Sequence, residues 1–366
     1  MYIKDIELHH FRNYEELKLD FHPNVNLILG MNAQGKTNLL ESIYISSMGK
    51  SFRTSKDSDM IMFGNDFGRV KINAVKDYLD TSVELVLSKD SKKSAKIDGV
   101  KIRKASELLD NIYMVIFSPE DLKIVKDEPE KRRKFIDREL CQLRPKYYEH
   151  LSKYKKILLQ RNAYLKELHG DSSIMDIWDM QLAEYGASIM MMRDDFIKKL
   201  NLISRDIHYK ITNGREKLKL IYNPNIKMAE SQQQLKEKFY EIIKSSFDND
   251  MRQRTTTKGP HKDDMEFLIN EINVRNFGSQ GQQRTSALSL KLAELNLIKE
   301  ETGEDAILLL DDGMSELDLQ RQEFLIKSLS NIQMFITTTE ISDKLKETLP
   351  EGKIFYVTSG TVEGGE

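Results

Sequence analysis

The chain has 366 residues, 39% hydrophobic and 31% charged, with a net charge of −2. That length holds two domains, or one domain with a large insertion. No apolar run approaches the ~20 residues needed to span a bilayer. Cys141 is the single cysteine, which excludes an intramolecular disulfide and argues against a cysteine-based metal site. The charge balance gives no global sign of nucleic-acid binding.

Met1 to Glu7 alternates like a strand and has no signal-peptide core, so a cytoplasmic location is expected. Leu17, Leu19 and Phe21 alternate in the same way. Val25 to Leu29 reads as a short buried strand and Asn38 to Tyr44 as the opening of a helix. Between them, Gly30-Met31-Asn32-Ala33-Gln34-Gly35-Lys36-Thr37 fits the phosphate-binding pattern G-x-x-x-x-G-K-[ST]. Its glycines let the backbone wrap a phosphate chain, and successive N–H groups and the helix N-terminus point at it. Lys36 is expected to reach the β- and γ-phosphates of ATP, and the Thr37 hydroxyl to ligate Mg²⁺.

Val83, Leu85 and Leu87 form another alternating strand, Asp98-Gly99 is a two-residue hairpin signal, and Met114 to Phe117 is a buried strand ended by Ser118-Pro119. Three basic runs occur: Lys89, Lys92, Lys93 and Lys96; Lys101, Arg103 and Lys104; and Lys131 to Lys134. Alone, each reads as solvated surface rather than a DNA track.

From about Lys131 the period becomes helical. Leu151, Tyr154, Leu158, Leu165 and Leu168 fall three, four or seven apart, with Pro145 interrupting the helix before them. After the turn Gly170 to Ser173, the series Trp178, Leu182, Tyr185, Ile189, Met192, Phe196, Leu200, Ile203 and Ile207 keeps a three/four spacing. The two segments are expected to form an antiparallel helical hairpin. A strand-like stretch at Leu218 to Tyr222 and a weaker helix through Leu235, Phe239, Ile242 and Phe247 follow. Strand-helix texture returns from Thr255, with apolar strands at Ala306 to Leu310 and Met334 to Thr337. The expected division is residues 1–130 and 251–366 as two halves of one α/β head, with residues 131–250 as an inserted helical arm.

The strand Ile307 to Leu310 ends in Asp311-Asp312. Asp311 suits a carboxylate that orders Mg²⁺ through water beside the phosphate loop, and Asp312 a general base that polarises the attacking water. Ser279-Gln280-Gly281-Gln282-Gln283, ahead of a helical run from Arg284 to Lys299, resembles the signature motif of ATP-binding-cassette ATPases. In that family Ser and Gly at the helix N-terminus reach the γ-phosphate held by the opposite subunit. Ser315-Glu316-Leu317-Asp318 resembles its D-loop, which joins the two sites across the dimer. Thr37 and Ser279 are 242 residues apart, far more than a compact transporter cassette needs, and the insertion resembles a short form of the coiled-coil arm of SMC-type ATPases.

The local strings are similar to those of the RecF family of bacterial recombination mediators. They are His10-Phe11-Arg12-Asn13-Tyr14, Asn38-Leu39-Leu40-Glu41, Ser51-Phe52-Arg53-Thr54, Phe117-Ser118-Pro119-Glu120-Asp121-Leu122, Arg132-Arg133-Lys134-Phe135-Ile136-Asp137 and Gly259-Pro260-His261-Lys262-Asp263-Asp264. Asp127-Glu128-Pro129 departs from the family, which usually has a small Gly-containing turn there.

The resemblance implies an ABC/SMC-like P-loop ATPase head that uses ATP and Mg²⁺. It implies an ATP-driven homodimer that binds single- and double-stranded DNA at gaps and junctions. It further implies a RecR-type mediator as partner, recombinase loading, SOS induction, and weak, DNA-stimulated hydrolysis that acts as a switch. Residue by residue, Arg12 and Asn13 would lie near the nucleotide, Glu120 at the glutamine-loop position, and Thr339 where many cassettes have a switch histidine. Asp312, one methylene shorter than the usual glutamate, fits slow turnover. His261 is expected to be structural, beside neighbouring carboxylates. Two alternatives remain: a transporter nucleotide-binding subunit, which leaves the helical insertion unexplained, and a P-loop small-molecule kinase, which leaves Ser279-Gln280-Gly281 unused.

Overall fold

The computed structural model describes residues 1–76, 79–167, 172–313, 317–329, 332–341 and 347–365. The chain divides into two compact units, one of residues 1–121 with 291–366 and one of residues 122–290.

The first unit opens with β1 (Tyr2–Phe11), β2 (Tyr14–Asp20), β3 (Val25–Leu29), α1 (Lys36–Met48), β4 (Phe67–Lys76), β5 (Leu79–Ser88), β6 (Ser94–Ile97), β7 (Val100–Lys101) and β8 (Met114–Phe117). Period-two patterning, reset in β1 by an irregularity between Ile3 and Asp5, gives β1, β4 and β5 one apolar face: Ile3, Ile6, Leu8, Val70, Ile72, Ala74, Val83, Leu85 and Leu87 are all buried. These strands form an antiparallel sheet in the order β2-β1-β4-β5-β6-β7. Asp98 and Gly99 close the β6–β7 hairpin with φ of 50° and 77°, the left-handed pair that a two-residue turn of this kind requires.

The second unit contains α2 (Leu122–Lys126), α3 (Pro129–Leu143), α4 (Pro145–Lys166), α5 (Ser172–Ile211), β9 (Leu218–Asn223), α6 (Gln232–Ser245), α7 (Phe247–Gln253), β10 (Asp264–Ile269), β11 (Ile272–Asn273) and α8 (Val274–Phe277). α9 (Gln280–Thr302) carries the chain back, and β12 (Ile307–Asp311), α10 (Leu319–Lys327), β13 (Met334–Thr338), β14 (Gly352–Thr358) and β15 (Thr361–Gly364) complete the first unit.

The head's second sheet runs β15-β14-β3-β13-β12-β8, and β14, β3, β13, β12 and β8 are mutually parallel. Strands from both chain ends thus interleave in it. α1 packs against both sheets, and its Leu39, Leu40, Ile43, Tyr44 and Ile45 share a core with Ile6, Ile72, Leu309 and Phe335. Each such side chain contributes roughly 1.5–3 kcal/mol of burial. The buried Gln333 amide ties β1 to β13: its oxygen accepts the Ile3 N–H at 2.7 Å, and its nitrogen donates to Ile3 O at 2.8 Å and His22 O at 2.9 Å.

In the second unit α4 and α5 pack as the expected hairpin, with Pro145 at the first turn of α4, where its missing N–H costs nothing. Leu168, Gly170 and Asp171 of the expected turn region lie outside the described residues. α5 also packs against α6 and β9, so it buries Asp179, Arg193 and His208 as well as its apolar stripe. Those charges are paired. Arg161 donates to Asp179 at 2.7 Å and Asp250 at 2.6 Å, and Arg193 to Asp137 at 2.8 Å and Asp263 at 2.9 Å. Burial pushes the Asp137 carboxyl up, but Arg193, Lys155 and the Tyr147 hydroxyl hold it below its ordinary range.

The boundaries expected at 130 and 250 need correction. The chain divides at 121/122 and 290/291, so residues 251–290 pack with the helical unit. The reason is strand pairing: β10 lies antiparallel to β9, from Asp264 opposite Asn223 to Ile269 opposite Leu218. Residue 250 falls inside α7. The unusual Asp127-Glu128-Pro129 turn is a helix start, with Glu128 as N-cap and Pro129 opening α3.

Candidate nucleotide site

The parallel strands of the head place their C-terminal ends along one edge, where open α/β sheets bind ligands. β3 leads into Gly30, β13 into Thr339, β12 into Asp311-Asp312, and β8 into the turn holding Glu120. β14 ends at Thr358, and the following Ser359 donates its N–H to Gln34 Oε1 at 2.7 Å, while Gly360 donates to Gln34 O at 3.1 Å. The phosphate loop, residues 30–37, is therefore braced from the adjoining strand end.

Lys36 is buried, and its ammonium donates to Gly30 O at 2.7 Å and Met31 O at 3.1 Å. This holds it across the loop mouth. Asn32 is exposed, Ala33 has a φ of 65°, and Gly35 has a φ of 123°, so the loop turns through left-handed backbone. A Cβ at Gly35 would lie 2.6 Å from Asn13 Nδ2. Tyr14, whose phenol burial pushes up, donates to Gly35 O at 3.0 Å.

The Thr37 hydroxyl donates to Asp311 Oδ1 at 2.8 Å, joining the two expected Mg²⁺ ligands across 274 residues of chain. Burial pushes the Asp311 carboxyl up, against hydrogen bonds from Thr37 and Thr337. A buried carboxylate beside a hydroxyl is a hard-oxygen donor set of the kind Mg²⁺ takes. Asp312 has a φ of 49°, and its N–H donates to Thr337 Oγ1 at 3.0 Å. Thr337 therefore bridges both acids, and only its place at the end of a predicted strand hinted at this.

Arg12 and Asn13 are hydrogen-bonded to protein groups, Asn13 to the phosphate loop itself. The Arg12 guanidinium grips buried Glu41 twice, at 2.8 and 2.7 Å. Asn13 donates to Gln34 O at 2.9 Å and accepts from Asn38 at 2.8 Å. Glu41 also receives Arg53 at 3.2 Å and the Ser51 hydroxyl, while Arg53 reaches Asn38 at 2.7 Å. Three separate strings of the sequence thus converge around one buried carboxylate. Glu120 and Thr339 are both exposed, each just beyond a strand end.

In the second unit, Ser279 caps α9. Its hydroxyl accepts the Gln282 N–H at 3.2 Å, and Gln282 Oε1 accepts the Ser279 N–H at 2.9 Å, a reciprocal capping box. Gln282 also donates to Glu216 at 3.0 Å, and Gly281 is half-buried in the first turn. Asp318 caps α10 through the Arg321 N–H at 3.0 Å; Ser315 and Glu316 lie outside the described residues.

His261, next in sequence to Lys262, Asp263 and Asp264, is hydrogen-bonded to a tyrosine and a backbone carbonyl. Its Nε2 is 2.9 Å from Thr256 O, a pure acceptor, so Nε2 carries the proton and Nδ1 accepts from the Tyr154 hydroxyl at 2.7 Å. Arg132 corrects the reading of residues 131–134 as solvated. It is buried and forks onto Asp264 at 2.6 and 3.0 Å. Lys93 and Lys96 are likewise paired, to Asp57 and Glu84, each at 3.0 Å. No group of metal-ligating His, Cys, Asp or Glu side chains occurs among the described residues, and no helix among them is long and apolar enough to cross a membrane.

Comparison with known proteins identifies the family. The family described as RecF/RecN/SMC N terminal domain matches residues 2–359. The DNA replication and repair protein RecF of Alkaliphilus oremlandii is 46% identical over 366 residues, covering 99% of this chain and 100% of the relative. That of Clostridioides difficile is 45% identical, covering 99% and 98%. Among solved structures, the recombination mediator protein RecF-ATPrS in the RecFOR pathway superposes with a TM-score of 0.93 at 38% identity, covering 99% of this chain and 98% of that one. An Smc head bound to the C-terminal winged-helix domain of ScpA shares the fold, with a TM-score of 0.56 at 17% identity and coverage of 100% and 97%. The chain belongs to the RecF family of DNA replication and repair proteins, within the RecF/RecN/SMC group.

Proposed function

We propose that this chain is an ATP-dependent DNA-binding protein of recombinational repair and replication, working in the cytoplasm as a nucleotide-driven clamp. The observation that carries the reading is the 2.8 Å hydrogen bond from Thr37 to Asp311 at the strand ends that hold the phosphate loop. The cradle of residues 30–37 would hold the phosphates of ATP, with Lys36 toward the β- and γ-phosphates, Thr37 as an oxygen ligand of Mg²⁺ and Asp311 ordering that ion through water. The metal, when bound, neutralises charge on the β- and γ-oxygens.

Two copies then close on two nucleotides, each phosphate loop facing the other copy's Ser279 and Gly281. The Gln282 N–H is held by the Ser279 hydroxyl, so the γ-phosphate is met by the opening of α9 at Gln280 and Gly281 and by Ser279 itself. Asp312 is the general base, and its left-handed backbone, anchored on Thr337, fixes where the carboxylate starts. Turnover is slow, and dimer closure is the useful output. The dimer holds single-strand/double-strand junctions at DNA gaps, engages a RecR-type mediator, and promotes recombinase loading and SOS induction. Family membership supports these DNA and partner roles.

Sedimentation velocity with and without ATP, and with and without gapped DNA, tests the reading. ATP with Mg²⁺ should double the sedimenting mass, and DNA should co-sediment only with the ATP form. A mass indifferent to ATP, or DNA retention indifferent to ATP, would overturn it.

A further inference from the structure

Phe277 ends α8 two residues before Ser279, and 77% of its surface is exposed. Singly exposed apolar residues are common and need no explanation; this one stands on a backbone turn that is hydrogen-bonded on both sides. Asn273 caps α8 by accepting the Asn276 N–H at 3.2 Å. Gly278 donates to Val274 O at 3.0 Å, and a Cβ there would come within 2.6 Å of that oxygen, so the backbone turns tightly behind the ring. Gln283 closes the turn from α9, donating to Gly278 O at 3.3 Å. The backbone that carries Phe277 is therefore held beside the capping serine, with the ring exposed to solvent.

The phosphate loop carries a counterpart. Met31 is 72% exposed, while its carbonyl points inward to accept Lys36. An apolar side chain thus stands outward beside each half of the proposed shared site.

We infer that Phe277 is an apolar anchor of the surface by which one copy of this chain closes on a second copy, packing on the Met31 face of that copy's phosphate loop. The inference rests on the shared-site reading above and adds an interface residue that touches neither phosphate nor metal. Aromatic anchors dominate interface energetics, and thioether–aromatic contacts are favourable. A two-fold dimer makes each Phe277–Met31 contact twice, so one substitution removes two contacts.

The experiment measures ATP-dependent dimerisation of the full chain by sedimentation equilibrium for wild type, Phe277→Ala and Leu159→Ala. Leu159 is 72% exposed on α4 and serves as the control for losing exposed apolar surface. Phe277→Ala should bind ATP as a monomer like wild type, yet dimerise at least about tenfold more weakly. Leu159→Ala should match wild type. A second measurement pairs Met31→Cys with Phe277→Cys, using the fact that native Cys141 is buried. A short bifunctional maleimide should link the two copies only with ATP. If wild type dimerises and Phe277→Ala dimerises equally well, or no cross-link forms at concentrations where the cysteine pair still binds ATP and dimerises, the anchor is wrong and the shared site stands. If wild type itself fails to dimerise with ATP, the shared-site reading falls and the anchor with it.

Discussion

Gly30→Ala isolates how far the phosphate loop depends on the strand beside it. The backbone at Gly30 is not left-handed, so alanine meets no conformational objection there. The obstacle is steric: an added Cβ would lie 2.4 Å from Val357 O, in the main chain of β14. A carbon and a carbonyl oxygen rest about 3.3 Å apart, so one backbone must retreat by roughly 0.9 Å. Neither side can yield by rotating a side chain, because β14 is hydrogen-bonded in register to β3 from Gly352 opposite Val25 to Tyr356 opposite Leu29. Overpacking of this kind costs about 1–3 kcal/mol. The retreat also pulls on the two bonds that Gln34 receives from Ser359 and Gly360. A displacement of about 1 Å at a positioning group costs on the order of a hundredfold in function. Fluorescent-nucleotide titration with Mg²⁺ should therefore show ATP affinity down ten- to a hundredfold, roughly 1.4–2.8 kcal/mol, alongside a lower melting temperature. Wild-type affinity in a folded Gly30→Ala variant would show that β14 does not position the loop.

Three further outcomes follow from the same geometry. Asp312→Asn should keep ATP binding and the dimer while losing hydrolysis in a steady-state phosphate-release assay; if it fails to bind ATP while Asp311→Asn hydrolyses normally, the two acids have been assigned the wrong way round. Ser279→Arg and Lys36→Arg should each be inactive, yet their mixture should regain activity, because a heterodimer has one site with both lesions and one with neither; no gain despite demonstrable heterodimers would exclude shared sites. Ser279 as a helix cap alone predicts instead a loss of about 1 kcal/mol and an intact ATP-dependent dimer. For His261, burial above all lowers the folded pKa to about 4 from an ordinary 6.5. The unfolded chain therefore takes up a proton first as pH falls, so stability is intact above pH 6.5 and declines toward pH 4, by roughly 3 kcal/mol at most. Urea unfolding across that window should show the decline in wild type and a shallower one in His261→Gln; equal slopes would refute it.

Legibility in the sequence followed range. The phosphate loop, its flanking strand and helix, the β6–β7 turn and the α4–α5 hairpin were readable because their chemistry is local. A glycine at a left-handed turn or an apolar residue every third or fourth place announces itself within a few residues. Gln333 was not readable, because its meaning lies in Ile3, 330 residues away. Arg132 and Arg193 were read as part of a basic run or passed over, because a charge pattern along one segment does not reveal Asp264, Asp137 or Asp263 on another. The boundary at 250 failed for the same reason: the hydrophobic period changes there, but the pairing of β9 with β10 decides where the compact unit ends.

The interleaved sheet explains why the site is built from distant segments. β3 from the N-terminal part lies between β13 and β14 from the C-terminal part, so the phosphate loop is formed only when both ends of the chain are in register. Thr37 meets Asp311, and Gln34 meets Ser359, across 274 and 325 residues. Ordering contacts over such separations carries a loop-closure cost that rises only slowly with length, about 0.6 kcal/mol per doubling. A helical insertion of this size therefore adds little to the cost of assembling the head, while allowing Ser279 and Phe277 to be carried on a separate compact unit. In the proposed clamp each copy brings the phosphate loop on one unit and the capping serine on the other, so closure on ATP engages both units of both copies. A change confined to the Phe277 surface should then weaken closure without touching nucleotide binding by the monomer, whereas a change at Gly30 should weaken both.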